Sequence, residues 1–334
     1  MAYRLAINGF GRIGRTTFRA AFEHPGVSVV AINDLTDAAT LAHLLKYDTV
    51  YGVWNHEVAA DGDTLIVDGQ HIPIFNEKDP TKLPWKKLQV AVVLECTGHF
   101  TDKESALAHI KAGSKSVLIS APAKDEGLVP TGVLGVNKLA IADGPVFSNA
   151  SCTTNCIAPI MEILERHFGV EQAFMTTAHA YTADQNLQDG PHTDLRRARA
   201  AAFNIVPTTT GAAKTVGAVV PSLKGIFDGL ALRVPIPVGS ISDITAYLKK
   251  DVNVEVLNDL LRQEAKDRYR GILVVEDDPV VSSDIVGRVE SSIVDSALTA
   301  VQGRLVKVVA WYDNERGYSQ RFLEQSIELA KQCA

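Results

Sequence analysis

The sequence predicts an α/β protein in two parts, a doubly wound parallel sheet followed by an α+β part whose sheet is mostly antiparallel. Three observations carry that expectation. Near-continuous Val, Ile and Leu runs alternate with helical patterns through the first 150 residues, as expected for parallel strands buried on both faces. Beyond residue 151 the strands alternate strictly between apolar and polar residues, as in "ISDITAYLKK" (241–250), which suits an antiparallel sheet with one wet face. The chain has 334 residues, 46% of them hydrophobic, and single cores stop growing at roughly 250–300 residues, so two domains are expected.

Taken in order, "YRLAIN" (3–8) reads as a strand, "GFGRIG" as a turn carrying Gly9, Gly11 and Gly14, and "RTTFRAAFEH" as a helix. A second apolar run, "VSVVAIND", ends in Asp34, twenty residues after Gly14. A glycine pattern between strand and helix, answered by an acid at that distance, is the dinucleotide fingerprint of a Rossmann-type sheet. The glycines let backbone approach a pyrophosphate at the helix N-terminus, and the carboxylate accepts both ribose hydroxyls. Between Gly52 and Asn76, turn signals at Asp61-Gly62 and Asp68-Gly69 predict inserted antiparallel strands. Strands at 87–98, 114–122 and 144–151, with a helix at 102–113, complete this part.

The second part opens with a helix, "CTTNCIAPIMEILERHF" (152–168), whose cap is Ser151 or Asn149. A helix at 253–268 capped by Asn253 is expected to cover one face of the sheet, and a turn at Gln302-Gly303 to join strands at 291–300 and 304–313. Residues 181–204 are polar, carry the arginine cluster Arg196, Arg197 and Arg199, and have neither period; structureless segments of that length are usually functional. The expected domains are 1–150, with a C-terminal helix at 315–334 packing back on it, and 151–314.

Composition narrows the function. The net charge of −6 leaves no basic field for nucleic acid or an anionic membrane. No segment approaches the roughly 18 apolar residues of a membrane span, and a cytoplasmic protein is expected. Four cysteines, Cys96, Cys152, Cys156 and Cys333, form neither a disulfide framework nor a zinc signature, so no metal is expected. Cys152 stands where a strand ends and a helix begins, and orphan N–H groups and the helix dipole there favour thiolate. Cys156 reads as core, Cys96 as a strand residue without chemical duty and Cys333 as a tail residue. A nucleophilic thiol needs a base or a cation. His179, near the end of an apolar strand in "FMTTAHAYT", is the preferred partner; His192 reads more as a surface residue.

The segments "INGFGRIGR", "SNASCTTNC", "AHAYTADQ", "DLRRARAAA", "PTTTGAAK", "LRVPIPVGS" and "WYDNERGYS" closely resemble, in order and spacing, those of phosphorylating glyceraldehyde-3-phosphate dehydrogenases, over essentially the whole chain. The resemblance implies that Cys152 attacks the aldehyde of glyceraldehyde 3-phosphate and that His179 is the base. It implies a thioester that inorganic phosphate then cleaves to an acyl phosphate. It assigns Thr182 and Arg233 to the substrate phosphate, Ser151, Thr153, Thr210 and Gly211 to inorganic phosphate, and Arg197 to a place near both. On the NAD side it implies roles for Gly9, Gly11, Arg12, Ile13, Gly14, Asp34, Lys78, Ser120 and Asn314. Asp34 favours NAD, whereas Gly190, where many relatives carry leucine, leaves NADP use open. A homotetramer is implied as well. Arg316, His99 and Cys96 depart from the usual residues, and none is expected to abolish chemistry. The competing readings are erythrose-4-phosphate dehydrogenase, and a non-catalytic dinucleotide-binding redox sensor.

Overall fold

The computed structural model describes residues 2–125 and 127–333; Ala334, the last residue of the expected terminal helix, lies outside the described residues. The backbone divides into two units. The first comprises Met1–Gly132, Lys138–Ala150 and Ser319–Ala334, and the second Val133–Asn137 and Ser151–Tyr318.

The first unit begins with β1 (Tyr3–Asn8), α1 (Arg12–Phe22), β2 (Val27–Asn33) and α2 (Ala38–Lys46). Two short strands, β3 (Tyr47–Asp48) and β4 (Gly52–Val53), pair with each other, and β5 (Val58–Asp61), β6 (Thr64–Val67) and β7 (Gln70–Phe75) form an antiparallel meander. The turn between β6 and β7 is Asp68-Gly69, both left-handed at φ 45° and 76°, the conformation that two-residue hairpins favour. β8 (Val92–Glu95), α3 (Lys103–Lys111), β9 (Ser116–Ile119) and β10 (Val146–Ser148) follow. The sheet order is β10-β9-β8-β1-β2-β7-β6-β5, parallel from β10 to β7. The chain therefore reverses its winding between β1 and β8, the switch point at which such sheets bind ligands. Ala6, Ala31, Val93, Val117 and Ile119 pack with Trp85 and Ala106 in a buried cluster.

The strand expected over 87–98 is only four residues long. Gln89 is left-handed at φ 51° and its N–H bonds the Lys86 carbonyl, so 87–91 is turn and approach rather than ladder. Cys96 consequently lies beyond the strand end, not within it.

The second unit contains α4 (Cys152–Phe168), β11 (Val170–Ala180), β12 (Val206–Thr209), α5 (Ala212–Val219), β13 (Phe227–Val234), β14 (Ser240–Leu248), α6 (Val254–Lys266), β15 (Leu273–Glu276), α7 (Ser282–Ile285), β16 (Ser292–Asp295), β17 (Ala300–Gln302) and β18 (Leu305–Tyr312); α8 (Arg316–Gln332) starts in it. The order is β12-β13-β11-β14-β18-β16-β15, with β17 on β18. All neighbours are antiparallel except β11/β13 and β15/β16. α4 buries Ile157, Ile160, Met161 and Leu164 and packs on β14, β16 and β18. The strand expected over 291–300 is broken by a 3-10 turn at Ser296–Leu298, so β16 and β17 pair separately with β18. Asn253 caps α6 by accepting from the Val256 N–H at 2.8 Å. Residues 181–204 contain no helix or strand.

Candidate active site

At the C-terminal ends of β1, β2 and β8 a cavity of about 370 Å³ opens, lined among others by Gly9, Gly11, Asp34, Lys78, Thr97 and Phe100. Gly9 is left-handed at φ 91°, and a Cβ there would lie 2.7 Å from the Thr97 nitrogen, so only glycine fits. A Cβ on Gly14 would lie 2.2 Å from the Gly9 carbonyl oxygen. Gly11 differs: a Cβ there would meet nothing within 4 Å, because this glycine faces the open cavity where a ligand backbone must approach. It caps α1 without any side-chain hydrogen bond, which leaves the helix start suited to an anion. The Asp34 carboxylate is held on the cavity wall by the N–H groups of Phe10 at 2.7 Å and Thr36 at 2.9 Å. These features fit a dinucleotide. The Arg12 side chain is turned to Asp48 and lies over the Tyr51 ring, so only its place at the start of α1 bears on the cavity. Lys78 is exposed at the rim, and Ser120 is half-buried, its hydroxyl working against the burial that pushes the Cys96 thiol up.

In the second unit, Ser151 rather than Asn149 is the cap of α4, its hydroxyl accepting from the Thr154 N–H at 3.0 Å. Cys152 is the first residue of that helix. Two residues earlier, Ala150 is left-handed at φ 56°, a costly conformation for a side chain other than glycine. His179 ends β11 but for one residue, and Arg233 is its Cα partner on β13. The register thus sets the ring beside the guanidinium. Cys152 Sγ lies 3.3 Å from His179 Nε2. His179 Nδ1 lies 2.7 Å from the Ala180 carbonyl and 2.5 Å from Arg233 Nη1, which itself donates to that carbonyl at 3.0 Å.

One ring nitrogen cannot both donate and accept. With Nδ1–H donating to Ala180, the Nε2 lone pair faces the thiol; with Nδ1 accepting from Arg233, Nε2–H faces the sulfur. Burial first, and Arg233 second, push the imidazole down to about 3, so the ring is neutral near pH 7 in either tautomer. The thiol is pushed up by burial, against which Arg233, the Thr153 hydroxyl and the N–H groups of the helix start work. The lowering expected from the helix terminus is therefore present but outweighed by desolvation in the free protein. The cation supporting a thiolate is Arg233, not a protonated His179. Arg233 Nε is buried without a partner among the described residues.

The remaining predicted residues are dispersed in their bonding. Thr153 turns its hydroxyl inward to Tyr312, which also meets Thr177, each at 2.9 Å. The Thr210 hydroxyl accepts from the Ala212 N–H at the start of α5, which Gly211 caps. Arg197 donates to Thr208 and pairs with Asp184 at 2.5 Å, and Thr182 is half-buried. Asn314 Oδ1 accepts from Gly239 N and Ser240 Oγ at 3.2 and 3.0 Å, so its amide presents N–H donors, as a carboxamide oxygen requires. Sequence reasoning missed Ala150, whose conformation leaves no local signal, and Glu95, whose signal was an acid interrupting an apolar run.

A glycine turn at the switch point of a parallel sheet, with a thiol beside a neutral imidazole at a helix start, defines a class: dinucleotide-dependent oxidoreductases that work through a cysteine nucleophile. Comparison with known sequences takes this further. The chain belongs to the glyceraldehyde 3-phosphate dehydrogenase family, whose NAD binding domain matches residues 3–103 and whose C-terminal domain matches residues 151–314. It is 54% identical to the glyceraldehyde-3-phosphate dehydrogenase of Mycobacterium avium, over 97% of each chain. Identity is 53% to the enzyme of that name from Borreliella burgdorferi, covering 98% of this chain and 100% of the relative, and 51% to that from Geobacillus stearothermophilus, over 99% of each.

Proposed function

We propose that the protein oxidises D-glyceraldehyde 3-phosphate to 1,3-bisphosphoglycerate with NAD and inorganic phosphate, through a thioester on Cys152, in glycolysis or gluconeogenesis. The observation that carries the reading is the 3.3 Å approach of Cys152 Sγ to the Nε2 of a neutral His179. Neutral His179 takes the thiol proton at Nε2, the thiolate supported by Arg233 attacks the aldehyde carbon, the carbonyl π pair moves to oxygen, and the same proton passes from Nε2 to the alkoxide to give a hemithioacetal. His179 Nε2 then removes the hydroxyl proton as the C–H bond breaks, and the carbonyl of a thioester forms. Bound NAD supplies the acceptor for the hydride that leaves that carbon. His179, now carrying the proton, hydrogen-bonds the oxyanion formed as a phosphate oxygen attacks; the oxyanion pair then re-forms the carbonyl, the C–S pair leaves on sulfur as the thiolate, and His179 gives its proton to solvent.

Of the phosphate donors, Arg233 and Thr182 are assigned to the substrate. Ser151, Thr153, Thr210 and Gly211 are assigned to inorganic phosphate, with Arg197 near both. Thr210 accepts a cap bond yet keeps its own proton for a phosphate oxygen, and Ser151 does the same when the Thr154 hydroxyl, 2.8 Å away, is the donor of their shared bond. Gly9, Gly11, Gly14, Arg12 and Ile13 would hold the NAD pyrophosphate, Asp34 a ribose, Lys78 and Ser120 the neighbouring groups, and Asn314 the carboxamide. The carboxylate of Asp34 favours NAD by repelling a 2′-phosphate. Self-association, with a homotetramer as the assembly expected, is supported by Leu187, Leu195 and Phe203, which are 79%, 82% and 90% exposed in the irregular segment and suit burial by a second copy. A cytoplasmic location accords with the bacterial relatives; among the described residues no helix is long and apolar enough to cross a membrane.

The test is NADH formation from glyceraldehyde 3-phosphate and NAD, with and without phosphate, beside erythrose 4-phosphate and NADP. Phosphate-dependent turnover of the first substrate with NAD is expected. Turnover of erythrose 4-phosphate alone, or of neither sugar, would overturn the reading.

A further inference from the structure

The dinucleotide cavity stands on a row of polar side chains outside the glycine fingerprint. Asn33, Asn8 and Glu95 are the last residues of β2, β1 and β8, adjacent parallel strands, and they are Cα partners across the ladders. All three are buried. Interior polar groups are costly unless donors meet acceptors, and here the pairing is determined atom by atom.

The Glu77 backbone N–H donates to Asn33 Oδ1 at 3.0 Å, which orients that amide. Asn33 Nδ2 then donates to the Glu77 carbonyl at 3.0 Å and to Asn8 Oδ1 at 2.7 Å. Asn8 Nδ2 donates in turn to Glu95 Oε2 at 2.6 Å. From the other side, Trp85 Nε1, a donor only, reaches His109 Nδ1 at 3.0 Å, so that nitrogen is unprotonated and Nε2 carries the hydrogen. His109 Nε2–H donates to Glu95 Oε2 at 3.1 Å. The 3.3 Å approach of Asn8 Nδ2 to the same ring nitrogen is a contact between two donors sharing one acceptor. Glu95 Oε1 accepts from the Thr97 N–H at 2.8 Å and from the Thr97 hydroxyl. Four donors, none positively charged, thus surround one buried carboxylate.

Thr97 is where the row meets the cavity. It lines the wall, and the Thr97 nitrogen is the atom that a Cβ on Gly9 would strike. The seat of Thr97 therefore sets how close the glycine turn can come. We propose that Glu95 is a positioning residue of the dinucleotide site: held by the Asn33–Asn8 row and the Trp85–His109 pair, it fixes Thr97 and, through it, the Gly9 backbone that receives the dinucleotide. The inference rests on the dinucleotide reading above and concerns binding of NAD, not chemistry at Cys152.

Glu95→Gln places an amide N–H against incoming donors on one side or the other. NAD affinity by calorimetry and the KM for NAD should weaken roughly tenfold or more, the cost of one lost charged hydrogen bond and its unpaired donor. The kcat at saturating NAD should stay within about twofold. Trp85→Phe, which frees His109 Nδ1, should weaken NAD in the same direction by less. Leu94→Ala, buried beside Glu95 on β8, is the control, lowering Tm with unchanged NAD affinity. If Glu95→Gln and Trp85→Phe lose Tm but bind NAD as the parent protein does, the row is only structural and the inference is overturned. If Glu95→Gln does not fold, the KM-against-kcat split of Trp85→Phe decides. Failure of the parent protein to bind NAD would instead overturn the dinucleotide reading.

Discussion

Each unit buries a histidine, and the two rings are opposites. His109 is enclosed by Trp85 and Glu95, and each ring nitrogen has one partner of the complementary kind. His179 has one nitrogen contested by Arg233 and the Ala180 carbonyl and the other turned on a thiol, beside a guanidinium whose Nε has no partner among the described residues. The first arrangement has one hydrogen-bonding solution and is rigid. The second has two of similar standing and can switch between them. Incomplete satisfaction, tolerated in a buried site, marks where protons move.

Experiments can break or sharpen this contrast. The largest effect is expected from Cys152→Ser, which should lower NADH formation by roughly 10⁴-fold or more, since the nucleophile itself is weakened. His179→Asn should lower kcat by about 10²- to 10⁴-fold. His109→Asn should instead raise the KM for NAD and lower Tm while kcat changes only slightly. If the two variants lost kcat alike, the contrast would fail.

Arg233→Ala tests the source of thiolate support. Arg233 lowers the Cys152 thiol against the effect of burial, so its removal should move the pH midpoint of Cys152 alkylation by iodoacetamide upward. A midpoint that stays or falls would show that Arg233 is not the supporting cation. The smallest effect concerns stability. His179 is held near 3 in the folded state against an ordinary 6.5, so the unfolded chain binds the proton first as pH falls. The stability contribution is complete above about 6.5 and is lost progressively toward 3. Tm between pH 7 and 4.5 should therefore fall less steeply in His179→Asn than in the parent protein.

Much of this was legible in the sequence because it is local. The glycine turn, the acid ending the second strand and the start of α4 at Cys152 depend on neighbours in the chain, and caps and glycine patterns record them. Strand ends were less legible: the left-handed Gln89 cut a long apolar run to four residues, and nothing in a run of valines announces that. Sheet register was not legible at all. It sets Arg233 against His179 across 54 residues and Glu95 beside Asn8 across 87, separations on which no spacing rule speaks. Thiol energetics failed for another reason: the helix start was visible in the sequence, but the burial opposing it is a property of the packed unit.

The most direct measurement is a single-turnover mixture of protein, NAD and glyceraldehyde 3-phosphate without phosphate, followed by absorbance and by mass spectrometry of the peptide carrying Cys152. The account predicts a burst of NADH approaching one per chain and a 3-phosphoglyceryl thioester on Cys152 that disappears when phosphate is added. Sustained turnover without phosphate, or a burst with no adduct on Cys152, would contradict it.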